Sequence, residues 1–87
     1  MNPPTNAVRV ELLHTPGCPH ADAARALLGD CLVELGIAAP IEEREGDYPS
    51  PTILVNGVDV MGRRELEGAM CRLDLPTRDR IVAALTR

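Results

Sequence analysis

Asn56-Gly57 sits between two apolar runs, Pro51-Thr52-Ile53-Leu54-Val55 and Val58-Asp59-Val60-Met61. A two-residue type I′ turn needs positive φ at both central residues, and Asn-Gly supplies it, so 51–55 and 58–61 are expected to be adjacent antiparallel strands. Val8-Arg9-Val10-Glu11-Leu12-Leu13 alternates apolar and polar, the period of a half-buried strand. Residues 41–45, Ile-Glu-Glu-Arg-Glu, form a fourth short strand. Pro40 at its start and acidic side chains along it suit a solvated sheet edge rather than a metal site.

Two helices complete the pattern. Thr15-Pro16-Gly17 breaks the chain after the first strand, and Cys18-Pro19 opens a helix with proline at its favoured first position, which makes Cys18 the expected N-cap. Leu27, Leu28, Cys31, Leu32 and Leu35 recur at helical spacing, and Gly36 stops the helix. Residues 74–87 form the closing helix, with Pro76 or Thr77 near its start and Ile81, Val82 and Leu85 on the apolar face. An irregular helical turn is expected over 63–70.

In the strands, Val8, Val10, Leu12, Ile53, Val55, Val58 and Val60 form one face, all apolar. The opposite face is mostly polar, with a small apolar remnant of Leu13, Leu54 and Met61 that Tyr48 or a second subunit would cap. Helices are therefore expected on one side of the sheet, in a two-layer α/β sandwich of order β-α-β-β-β-α with a four-stranded mixed sheet. Residues 1–6 read as a disordered tail and 7–87 as a single domain, in keeping with 87 residues.

Composition narrows the function. The net charge of −4 and a single aromatic residue, Tyr48, disfavour nucleic acid, which wants basic surface and stacking platforms. No stretch is long and apolar enough for a membrane span, and the start lacks the charged and apolar regions of a signal peptide, so a cytoplasmic protein is expected. Three cysteines, Cys18, Cys31 and Cys71, cannot all pair within one chain. Cys31 shares the apolar helix face and reads as core. At 1.5 Å per residue it lies ~20 Å along the helix from Cys18, which excludes direct pairing. Cys18 is the reactive candidate, because a helix start favours negative charge. His20 would add to that effect when protonated, and His14 ends the first strand nearby.

Cys18-Pro19-His20-Ala21 at a helix start and Ser50-Pro51-Thr52 before a hairpin resemble thioredoxin and glutaredoxin. With Val55-Asn56-Gly57 and the late Cys71-Arg72-Leu73, residues 8–86 resemble more closely the short bacterial proteins labelled "thioredoxin family" or "alkylmercury lyase". The resemblance implies a thioredoxin-like fold and a cis bond before Pro51, with Pro51 against the reactive sulfur and Pro19, Ser50 and Thr52 in support. It also implies thiol–disulfide chemistry at Cys18, with His20 tuning it. The chain departs from the Cys-x-x-Cys pattern: Ala21 occupies the second position, which leaves a monothiol site. Gly46 to Ser50 has no room for the helix that usually precedes the third strand, and Arg63-Arg64 stands where glutathione-binding relatives carry acidic residues.

In the implied sheet, the segment 62–71 returns to the edge that holds Cys18 and Pro51. Cys71 there either pairs with Cys18, shares a soft metal such as mercury with it, or packs as a small hydrophobe. A lyase acting on carbon–mercury bonds would also need a proton donor, for which Asp22 and Asp74 are the nearby acids. The expected function is thiol–disulfide redox chemistry, with mercury binding or a non-catalytic interaction module as alternatives. Expected partners are a protein or low-molecular-weight thiol or disulfide. No cofactor is expected, and the chain is expected to be a monomer or weak homodimer.

Overall fold

The strand patterns translate directly into a mixed sheet. The computed structural model describes residues 8–62, 70–71 and 75–86. Strands β1 (Val10–His14), β2 (Ile41–Glu45), β4 (Thr52–Val55) and β5 (Val58–Asp59) form a sheet of order β2-β1-β4-β5. Helix α1 (Ala21–Leu35) connects β1 to its parallel neighbour β2, as a parallel pair requires. β4 runs antiparallel to β1 and to β5. The β4–β5 turn has Asn56 at φ 52° and Gly57 at φ 83°, the type I′ signature that Asn-Gly encodes. Two further strands, β3 (Pro49–Ser50) and β6 (Met70–Cys71), pair in parallel as a separate two-stranded ladder. Helix α2 (Arg78–Leu85) closes the chain, capped by Thr77, whose side chain accepts from the Arg80 amide.

The core lies between the sheet and the helices. Val10, Leu12, Ile53 and Val55 project from β1 and β4 into one cluster with Ala24, Leu28, Cys31 and Leu32 of α1 and Ile81 of α2. Fully burying a side chain such as Leu28 is worth about 1.5–3 kcal/mol. Both helices thus contribute to one core on one face of the sheet. An ion pair between Glu34 and Arg78 ties them together outside it. β2 is the edge strand, with residues 42–45 exposed.

The opposite face departs from expectation. Glu11, Thr52 and Asp59 are buried, not solvated, together with Leu13 and Leu54 of the apolar remnant. The register explains part of this: Leu13 lies opposite Thr52 and Glu11 opposite Leu54, so each polar residue is directly across from a leucine. Glu11 is only 6% exposed and is met by Arg9 at 3.6 Å and Arg44 at 3.3 Å. Thr52 Oγ1 donates to the Pro49 carbonyl at 2.6 Å, and Asp59 accepts from the Met61 amide at 2.9 Å. Val58, assigned above to the apolar face, is 57% exposed because it belongs to the hairpin tip beyond the helices.

Element boundaries also differ from the sequence reading. β1 begins at Val10 instead of Val8 and ends at His14. β4 begins at Thr52, and the fourth strand of the expected order is only Val58–Asp59. The stretch read as a plain connection contains β3. The expected tail over 1–6 and the expected turn over 63–69 lie outside the described residues. Met70 belongs to β6.

Candidate functional site

β1 and β4 are antiparallel and Leu13 pairs with Thr52, so the end of β1 and the start of β4 share one sheet edge. The turn that leaves β1 carries Cys18, and the loop that enters β4 carries Pro51. The chain bends after Thr15, with Gly17 at φ 74°, a left-handed conformation that disfavours side chains with a Cβ. The Cys18 amide donates to the Thr15 carbonyl at 3.2 Å, and the Cys18 carbonyl accepts from Ala21 at 3.3 Å.

This last bond closes a four-residue turn with Pro19 and His20 at its centre, and it displaces the helix start. The N-cap of α1 is His20, with φ −95° and ψ −5° and no side-chain capping bond, and not Cys18 as expected. Cys18 stands two residues before the cap. Among the described residues it is a free, half-buried thiol, and Cys31 is a free, fully buried one. The Ser50–Pro51 bond is cis, as the resemblance implied.

His20 and Pro51 both line a cleft of about 100 Å³ whose walls include Ala24 and Leu27 of α1 and Leu75 and Pro76 before α2. The lining is aliphatic apart from His20. Pockets that enclose a small molecule run to ~300–1,000 Å³, so this one has room for a side chain. Cys18 does not line it.

His14 closes β1 on the same edge, and its side chain is only 13% accessible. Its Nε2 lies 3.4 Å from a Glu43 oxygen and its Nδ1 3.4 Å from the Thr15 carbonyl, the acceptor of the Cys18 amide. Glu43 in turn receives a two-pronged pair of hydrogen bonds from Arg25 of α1, both at 2.7 Å. Those bonds, with a smaller contribution from His14, hold the Glu43 carboxyl below the usual carboxylate range. Arg25 also donates to Asp22 at 2.6 Å, and its guanidinium is stabilised in the charged form by Glu43 first and Asp22 second. The acidic edge strand is thus anchored to the helix through Glu43, a link between positions 18 residues apart that no local sequence signal announces.

The second ladder brings Cys71 to the same region. Its backbone pairs with Ser50, and Met70 with Pro49. Ser50 is fully buried, and among the described residues its hydroxyl has no hydrogen-bond partner. Arg63, Arg64 and Asp74 lie outside the described residues. Cys18, His14, His20, Pro51 and the Ser50–Cys71 pair therefore gather at one end of the sheet, while Cys31 belongs to the core. Among the described residues no group of three or more His, Cys, Asp or Glu side chains is arranged to hold a metal, and no helix is long and apolar enough to cross a membrane.

Fold and site together define an α/β chain that carries, among the described residues, one accessible thiol, on the turn between its first strand and first helix. No protein-family model matches the chain, and neither does any curated protein or solved structure.

Proposed function

We propose that this is a thioredoxin-like thiol protein in which Cys18 carries out thiol–disulfide exchange without a local partner cysteine. One observation carries the reading: the accessible free thiol sits on the β1–α1 turn, at the same sheet edge as Pro51 and the aliphatic cleft beside it. The Cys18 thiolate attacks one sulfur of a disulfide and forms a mixed disulfide, and the other sulfur leaves as a thiolate. The cleft receives an aliphatic side chain of a protein substrate, and His20 at its rim is the one titratable group in its lining. The positive end of α1 points toward this turn and favours the developing negative charge, though less than it would for a residue at the cap itself.

The test is exchange between the reduced native protein and oxidised glutathione, mapped by peptide mass. The mixed disulfide is expected on Cys18 and not on Cys31, and Cys18→Ser is expected to abolish it. A native protein that forms the adduct mainly at Cys31, or not at all, overturns the reading.

A further inference from the structure

Outside the exchange chemistry, two features stand out among the described residues: the exposed aliphatic side chains of Val33 and Val58, and the run of charged contacts Asp22–Arg25–Glu43–His14. The valines stand singly on α1 and β5, and single exposed apolar residues are ordinary on a protein surface. The charged contacts are different, because they end on the backbone of the turn that bears Cys18.

We propose that His14 is a positioning residue for the thiol: its doubly protonated ring ties the turn that bears Cys18 to Glu43 on the edge strand, and loss of one ring proton frees the turn. The inference rests on the exchange reading above. The shared atom is the Thr15 carbonyl oxygen, which accepts from the Cys18 amide at 3.2 Å and lies 3.4 Å from His14 Nδ1. The other ring nitrogen, Nε2, lies 3.4 Å from a Glu43 oxygen. Each contact is long for a hydrogen bond and weak by itself. What decides is that both neighbours only accept. A carbonyl has no proton to give, and Arg25 holds the Glu43 carboxyl in its ionised form. A neutral imidazole has one N–H and serves one of the two acceptors, whereas the doubly protonated ring serves both.

Charge balance points the same way. On β2, His14 faces Glu43 and its register partner Glu45. Asp22, Arg25 and His20 stand at the start of α1, and Asp47 follows Gly46, whose amide donates to the His14 carbonyl. β3 and β4 bring no charged residue. Arg25 balances one of the two carboxylates that it touches, Asp22 and Glu43, and a proton on His14 balances the other. When the ring loses a proton it keeps Nε2–H, because an ionised carboxylate is the stronger acceptor. Nδ1 then presents a lone pair to the Thr15 oxygen, and the tie is broken. The tie is thus present at pH below the titration of the ring and lost above it.

Two variants divide the donors of the ring. His14→Asn keeps an N–H where Nδ1 stands, at every pH, and His14→Gln keeps one where Nε2 stands. The measurement is the rate of mixed-disulfide formation on Cys18 with oxidised glutathione, from mildly acidic to mildly alkaline pH. His14→Asn is expected to match the wild type on the acid side and to exceed it on the alkaline side by about two- to tenfold, the effect of one hydrogen bond. His14→Gln is expected to do the reverse, slower than the wild type on the acid side by a similar factor and equal to it on the alkaline side. A charge effect on the thiol would move both variants alike, and so would a loss of packing.

Nuclear magnetic resonance reads the tie itself in Cys18→Ser, where no thiol titrates at that position. The backbone amide at position 18 is expected to shift together with the ring nitrogens of His14, and the step to vanish when His14→Asn is added although His20 remains. The first of these readings keeps His14 intact, so it does not depend on how the His14 variants fold. An amide that ignores the ring, or a step that survives His14→Asn, overturns the tie. Two variants with the same pH profile overturn the positioning role and leave the exchange reading standing. No adduct on Cys18 in any of the three proteins overturns the exchange reading and the role with it.

Discussion

At the scale of single residues, the three cysteines are separated by position and not by chemistry. Cys31 is completely buried between α1 and the sheet, where it packs as a small hydrophobe. We therefore expect iodoacetamide to modify Cys18 in the native protein and to reach Cys31 only as the chain unfolds. Peptide mapping along a urea titration checks this, and Cys31 labelling that precedes the loss of helical signal would contradict it. Gly57 is a second residue with a defined role. At φ 83° a Cβ is strained whatever room surrounds it, and Gly57→Ala should cost about 1–2 kcal/mol in chemical denaturation. An unchanged unfolding midpoint would show that the hairpin has another way to turn. Both roles were legible beforehand: Cys31 from its helical spacing with leucines, and Gly57 from the Asn-Gly dipeptide. The burial of His14 was not, because it depends on Glu43 arriving from another strand.

At the scale of elements, the edge strand β2 is held to α1 by the Arg25–Glu43 contact. Arg25 lowers the affinity of Glu43 for protons in the folded chain, so the contact stabilises the fold fully above the unfolded carboxylate value, about 4.3. That contribution is lost as pH falls through the lower folded value. Both side chains are more than a third exposed, so solvent and salt weaken it. Urea unfolding between neutral pH and pH 3 should therefore show a loss of stability toward acid that is smaller in Arg25→Gln. Equal acid slopes in the two proteins would remove Glu43 from the account. The helix start is where local reasoning went astray. Pro19 is a good first helical residue, yet the Ala21–Cys18 bond makes a preliminary turn and moves the cap to His20. Strands β3 and β6 were missed because two-residue ladders have no periodicity to detect. The burial of Glu11 was missed because its partners, Arg9 and Arg44, include one from another strand, which alternation along β1 alone does not register.

At the scale of the whole molecule, both helices and the sheet meet in one cluster, and Ile81 is the buried residue through which α2 joins it. Ile81→Ala should cost about 2–5 kcal/mol. For a domain of this size, with about 5–15 kcal/mol in total, that is a large share and should lower the thermal midpoint visibly. A midpoint within error of the wild type would mean that α2 contributes little to the core. The α/β class, the mixed four-stranded sheet and both helices were readable from periodicity, the hairpin signal and the helix stops. The convergence of Cys18, Pro51 and Cys71 was inferred only by assuming a topology. The register of β1 with β4 sets the end of β1 beside the start of β4, and that of β3 with β6 pairs the backbone of Ser50 with that of Cys71. The central claim is that this convergence makes Cys18 more than an exposed thiol. The direct measurement is the rate of Cys18 with a small disulfide at neutral pH, in the native protein and in the same chain unfolded in urea. The account predicts that the folded protein reacts faster, by about an order of magnitude, because the fold holds the Cys18 thiol in place for attack. An equal or slower rate in the folded protein would contradict it.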